Sequence, residues 1–124
     1  MSGCPSREKA LELLHEYTKT ESLRRHALGV EQAMRKMAEK YDGDPNEWGL
    51  AGLMHDFDYE KYPSMEEHPF RGNEILKEKG YPESITRAIM GHATYSGIPR
   101  DTDMAKALFA VDELTGFKIG RAHV

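Results

Sequence analysis

Six residues of this chain combine metal-ligating or acid–base chemistry with positions that helical spacing turns inward or sets at a helix end. His26 follows Leu23 by three and precedes Val30 by four, which puts it on the apolar side of any helix that spans it. His55 and Asp56 are adjacent and come directly after Leu53-Met54. His92 follows Ile89 by three, while Asp112 follows Leu108 by four and Phe109 by three. His68 stands before Pro69, at a junction between a loop and a helix. One buried neutral histidine is ordinary. A buried aspartate without a partner is not, because desolvating a carboxylate is costly. Imidazoles and carboxylates converging from several helices therefore call for a common counter-charge, and a divalent cation supplies it. Their nitrogen and oxygen donors suit zinc, iron, manganese or cobalt, and less readily magnesium or calcium. The expected cofactor is one or two divalent ions drawn from Mn, Fe, Co, Zn or Mg.

Helices must position these residues. Ser6 is a cap for a first helix whose apolar side carries Ala10, Leu13, Leu14 and Tyr17. Thr20 starts a second, longer helix with Leu23, Val30, Ala33, Met34 and Met37 at three- and four-residue intervals. Tyr41 to Asp44 breaks that period, and Asp44 then reads as an N-cap with Pro45 at the first helical position. The third helix runs through Trp48, Leu50, Ala51, Leu53 and Met54 and is expected to end near Asp56. Phe57 to Glu67, aromatic, charged and interrupted by Pro63, reads as a loop. A fourth helix begins around His68-Pro69, carries Ile75 and Leu76 and stops at Gly80. Pro82-Glu83-Ser84 opens a fifth, with Ile85, Ala88 and Ile89 inward, ending around Tyr95. After the turn Gly97-Ile98-Pro99, Asp101 or Thr102 caps a sixth helix through Ala105, Leu108, Phe109 and Leu114. No stretch alternates apolar and polar residues as a strand would. The expected fold is all-α, with about six helices. Met34, Met37, Met54 and Met90 read as core fillers, and His15 as structural or exposed.

At 124 residues the chain is one domain in length, with a net charge of −4 and both signs mixed along it. No basic stripe suited to duplex nucleic acid is visible, although a small phosphorylated ligand needs only a local patch. The lone Cys4 cannot make an internal disulfide, which points to a reducing, cytoplasmic setting. No apolar run approaches a membrane span, and no signal-peptide core precedes the first helix. Residues 118–124, Lys118-Ile119-Gly120-Arg121-Ala122-His123-Val124, resemble the translation of one frame of a widely used DNA-sequencing adapter. The expectation is a single metal-binding domain over residues 1–117, cut short at its C-terminus, followed by a non-native tail. His123 is accordingly not a site candidate.

His26, His55-Asp56, His68, His92 and Asp112 together resemble the HD-domain superfamily of metal-dependent phosphohydrolases, in particular its small stand-alone bacterial members. The likeness extends to Gly52-Leu53-Met54-His55-Asp56 at a helix end, His68-Pro69-Phe70-Arg71-Gly72 opening the next helix, and Gly91-His92. It spans about Leu23 to Phe117. A His-Asp dipeptide alone is a weak signal, whereas the ordered series of four separated elements is a strong one. The resemblance implies an HD-like helical bundle with metal held between helices. It implies His26, His55, Asp56 and Asp112 as ligands of a first ion, and His68 and His92 as ligands of a second, with Asp56 bridging. One departure stands out. Members often carry a lysine shortly after the dyad, whereas here Phe57-Asp58-Tyr59-Glu60 intervene before Lys61.

The activity that the resemblance implies is hydrolysis of a phosphoester or phosphoanhydride, in a nucleotide or other small phosphorylated metabolite. A bound divalent cation would bring its water toward ionisation near neutral pH. Asp56, His68 and His92 are the residues expected to serve catalysis, with Asp56 orienting that water. Arg71, one turn beyond His68, and Lys61 are the expected phosphate-binding cations. For each, the alternative is a solvent-exposed charge. Asp58 and Glu60 either anchor ligand imidazoles from behind or face water. Tyr59, Tyr62 and Tyr95 either wall a base or sugar or simply pack. Two other functions compete with hydrolysis: a di-iron oxygenase built on the same ligand set, and a regulatory metal- or nucleotide-binding domain without turnover. The complete ligand set argues against the last.

Overall fold

The structure is a computed structural model that describes residues 5–62, 64, 66–93 and 96–114. Six helices lie among them: α1 Arg7–Tyr17, α2 Glu21–Lys40, α3 Pro45–Met54, α4 Phe70–Glu78, α5 Glu83–His92 and α6 Asp103–Leu114. No strand occurs among the described residues. The seven-residue tail and Tyr95 lie outside them.

Local chemistry explains where the helices begin. The Ser6 hydroxyl accepts Lys9 N–H at 3.2 Å, Asp44 Oδ1 accepts Asn46 N–H at 3.0 Å, and Thr102 Oγ1 accepts Ala105 N–H at 3.0 Å. Each satisfies an amide that the first helical turn leaves without an intrahelical acceptor. Thr20 is the N-cap of α2 but makes no side-chain cap bond. Glu60 does that work from forty residues away, its Oε1 accepting Lys19 N–H at 3.1 Å and Thr20 N–H at 2.9 Å. At the other end of α4, Tyr81 N–H reaches Leu76 O and Gly80 N–H reaches Lys77 O. Gly80 supplies the required left-handed conformation, φ 91°, and Tyr81 and Leu76 are both buried beside it.

The helix α3 is the axis of the packing. Every residue from Trp48 to Met54 is buried, so it is covered on all sides, by α1, α2, α5 and α6. Its closest neighbour is α2, and the approach depends on Gly52, where a Cβ would stand 2.8 Å from Val30 O. Ala10, Leu14, Val30, Met34, Leu53, Met54, Ile85 and Leu108 fill the core. Glu31, on α2, is also fully buried and is held by Arg7 of α1, with Nε–Oε2 at 2.5 Å and Nη2–Oε1 at 2.9 Å. Arg35 approaches the same carboxylate at 3.6 Å. This clamp fastens α1 across α2.

The third helix ends at Met54, and the chain turns through 55–61 instead of leaving the core. Phe57 is 1% exposed and meets Tyr17 edge-on, and the Thr18 hydroxyl donates to Phe57 O at 2.9 Å. The segment that its composition marks as a loop is thus partly core. The dyad just before it is buried as well.

Candidate metal centre

All six sequence-predicted residues meet at one place. His26 comes from the second turn of α2, His55 and Asp56 from directly after α3, His92 from the last turn of α5, and Asp112 from α6. His68 precedes α4 and joins Pro69 through a cis peptide. The four imidazoles and Asp56 are each less than a tenth exposed, and the Asp112 side chain is 12% exposed.

The distances between donor atoms fall in a narrow range. Asp112 Oδ1 lies 3.2 Å from His26 Nε2 and 3.2 Å from His55 Nε2. Asp56 Oδ2 lies 3.4 Å from His55 Nε2, while its Oδ1 lies 3.2 Å from His68 Nε2 and 3.3 Å from His92 Nε2. Two atoms that share a metal ion at bond lengths near 2.1 Å stand roughly 3.0 to 3.4 Å apart in octahedral or tetrahedral arrangement. Two groups could each hold an ion, His26–His55–Asp56–Asp112 and Asp56–His68–His92, with ligand atoms within 4.8 Å of one another in each. Asp56 belongs to both and turns a different oxygen to each side.

The tautomers fit a cation as well. His55 Nδ1 donates to Gly52 O at 2.7 Å, and His92 Nδ1 donates to Ile89 O. A carbonyl can only accept, so each ring carries its proton on Nδ1 and turns the Nε2 lone pair toward the carboxylates. His68 Nδ1 donates to Asp58 Oδ1 at 2.7 Å, with the same result. Lone pairs facing carboxylate oxygens at these separations repel unless an electrophile, a proton or a metal ion, lies between them. The residues therefore fit a divalent cation.

Electrostatics gives the same account. Burial disfavours charge on His55, yet Asp56 and Asp112 outweigh it and raise its pKa to about 10. His68 is likewise desolvated, but Asp56 and Asp58 raise it to about 9. Burial works against ionising Asp56 and Asp112 too, and the facing histidines hold both well below the ordinary carboxylate range. The centre is built to keep its carboxylates ionised and to hold positive charge between them and the rings.

The remaining candidates divide. Asp58, 1% exposed, anchors His68, whereas Glu60 caps α2 and touches no ligand ring among the bonds described. Tyr59, half-buried, meets the His68 ring edge-on with centroids 5.4 Å apart. Arg71 lies exposed on α4, with Glu67 at 3.8 Å and Glu74 at 3.9 Å. Lys61 holds its ammonium 5.0 Å over the Tyr17 ring and 5.8 Å from that of Tyr62. His15 is exposed. Sequence reasoning missed two supports. Arg100 donates to Gly91 O at 2.6 Å and lies 4.0 Å over the Phe109 ring, fastening the end of α5 that carries His92 to α6. Arg24 donates to Thr18 O at 2.6 Å and His15 O at 3.1 Å, closing the end of α1. Neither lies in a motif, so nothing in local spacing marks them.

Among the described residues, no helix is long and apolar enough to cross a membrane. No curated protein and no solved structure matches the chain. A family model, HD domain, matches residues 23–116, well over half the sequence, from the third residue of α2 past the end of α6. That family is one of metal-dependent hydrolases, generally phosphohydrolases, and it is the family to which this chain belongs.

Proposed function

We propose that the chain is a metal-dependent phosphohydrolase that cleaves a phosphoester or phosphoanhydride of a nucleotide or another small phosphorylated metabolite. The observation that carries this reading is the sharing of Asp56 between two groups of imidazole and carboxylate donors spaced as ligands of common ions. His26, His55, Asp56 and Asp112 would hold one cation, and Asp56, His68 and His92 a second. Bound there, divalent cations lower the pKa of water and offset the charge on a phosphoryl group. The chain's own part is to keep Asp56 and Asp112 ionised, to present the Nε2 of His55, His68 and His92 in one tautomer, and to exclude bulk water by burial. Asp56 orients the attacking water through whichever of its oxygens faces it. Arg71 and Lys61 are the cations we assign to the phosphate oxygens.

A second reading, a di-iron oxygenase, is supported by how Phe57–Glu60 is used. Those four residues hold the Thr18 hydroxyl, His68, the His68 ring face and the start of α2, and none is a cation for a phosphate. One experiment separates the readings. Phosphoester and nucleotide hydrolysis with Mn, Fe, Co and Mg is measured beside oxygen consumption, before and after chelation. Hydrolysis that is lost on chelation and restored by metal supports the proposal. Hydrolysis unchanged in Asp56→Ala and His26→Ala refutes it.

A further inference from the structure

We propose that Asp58 is the positioning residue that makes Asp56, His68 and His92 a metal site, by fixing the His68 ring and tying it to the first turn of α4. This rests on the reading above that the group holds a cation.

His68 differs from the other ring donors in how it is held. His55 and His92 each donate Nδ1–H to a backbone carbonyl three residues earlier, so their own helices orient them. His68 lies outside a helix, and its Nδ1 is held by a side chain ten residues away. That side chain is buried and engages both oxygens: Oδ1 accepts from His68 at 2.7 Å and Oδ2 accepts Gly72 N–H at 2.9 Å. Gly72 is the third residue of α4, within the turn whose amides lack intrahelical acceptors. The helix has Pro69 as its N-cap and makes no side-chain cap bond of its own. Asp58 supplies that cap from across the chain, and its negative charge suits a helix N-terminus.

Only glycine permits this arrangement. A Cβ at position 72 would stand 2.6 Å from Asp58 Cγ and 2.7 Å from its Oδ2. The carboxylate thus fills the space that a side chain would take. One group sets three things together: the tautomer of His68, the direction of its Nε2 toward Asp56, and the place where α4 begins. An amide cannot do this. Asparagine has a single oxygen for two donors, and its NH2 would either face Gly72 N–H or reverse the His68 tautomer and put the proton on Nε2. An Nε2 that carries a proton cannot ligate. A carboxylate-to-amide change behind a histidine acts this way in the serine-protease triad.

The test uses the full chain stripped of metal, then titrated with cobalt(II), in the parent, Asp58→Asn, Gly72→Ala and Asp56→Ala forms. The parent is expected to bind two ions. Asp58→Asn and Gly72→Ala should keep the first and weaken the second by about 10- to 100-fold, the usual cost of losing an outer partner. Long-range proton–nitrogen NMR of the zinc-loaded parent should find His68 protonated at Nδ1 and bound through Nε2, a signature that a purely structural role for Asp58 would not require. Two undiminished sites in both variants overturn the proposal, as does a His68 bound through Nδ1. If neither variant folds, the parent spectrum decides. One ion in the parent, lost in Asp56→Ala, overturns the proposal and leaves metal dependence standing. No ion in the parent overturns both.

Discussion

Glu31 and the pair Asp56 and Asp112 are carboxylates drawn out of water, and they are balanced by different kinds of partner. Glu31 is fully buried and faces two guanidinium groups, Arg7 in a two-point contact and Arg35 at 3.6 Å. Arginine is charged at any accessible pH, so that clamp is complete in itself. Asp56 and Asp112 face imidazoles, whose charge depends on a proton or on another cation at Nε2. Permanent partners make a structural staple. Exchangeable ones make a centre that can take up an ion. The two regions should therefore respond in opposite ways to metal, pH and mutation.

The largest contrast is expected on removing a shared ligand. Asp56→Ala should reduce hydrolysis by more than the roughly 10- to 100-fold that loss of an outer partner costs, because both groups lose a donor. The parent should gain thermal stability from metal, about 2.7 kcal/mol at a concentration one hundred times the dissociation constant. That gain should vanish in Asp56→Ala. A melting temperature that rises equally in both proteins would place the ion elsewhere.

Glu31→Gln should act in reverse. Arg7 and Arg35 are partly exposed, at 43% and 28% of their side chains, so each can regain water when its partner goes. The expected loss is about 1–3 kcal/mol, below that of a pair whose surviving charge stays buried. It should be the same with and without metal. A loss that metal repairs would mean that the clamp and the centre are coupled through α2.

The pH dependence sharpens the contrast further. In chelated protein, His55 and His68 have folded pKa values of about 10 and about 9, above the ordinary value near 6.5. Their contribution is complete below about pH 6.5 and is lost as pH rises through 9 and 10. Asp56 and Asp112 are shifted the other way, so their contribution is present above roughly pH 4 and lost as pH falls. Denaturant unfolding of the chelated protein should show stability declining from near neutral pH toward pH 10. Metal should remove that alkaline decline, since it takes the place of the protons, and its affinity should rise over the same interval. An alkaline decline that persists with metal bound would mean that the ion does not sit on these rings.

What the sequence made legible follows the same division. His26, His92 and Asp112 were readable because each sits at helical spacing from apolar neighbours, while the caps at Ser6, Asp44 and Thr102 marked the starts of α1, α3 and α6. Glu31 was not readable. Ala27, Leu28 and Met34 stand at helical spacing from it, but its partner there is Arg7, twenty-four residues earlier on another helix, which no local spacing indicates. Asp58 and Glu60 illustrate the limit within one loop. Both are acidic and two residues apart, yet one lies inside against His68 and the other closes the start of α2. Periodicity reports which face of an element is apolar, and it carries no information on which distant partner docks there.

The smallest effects belong to the surface cations. Arg71 is 57% exposed, and its contacts with Glu67 and Glu74 are long, at 3.8 and 3.9 Å. Such pairs contribute little, so Arg71→Ala and Lys61→Ala should each change stability by no more than about 0.5 kcal/mol. Their consequence should be kinetic instead. Because Arg71 is held only loosely by its neighbours, a phosphoryl group at the centre can draw it away at small cost. Binding that is equal in the ground and transition states raises KM and leaves kcat alone. Arg71→Ala should therefore raise KM for a phosphorylated substrate several-fold with kcat unchanged, and Lys61→Ala, whose ammonium already rests on Tyr17, should raise it less. Initial-rate measurements on both variants decide this. An unchanged KM for Arg71→Ala would return that residue to the solvated face of α4 and leave substrate binding to the centre itself.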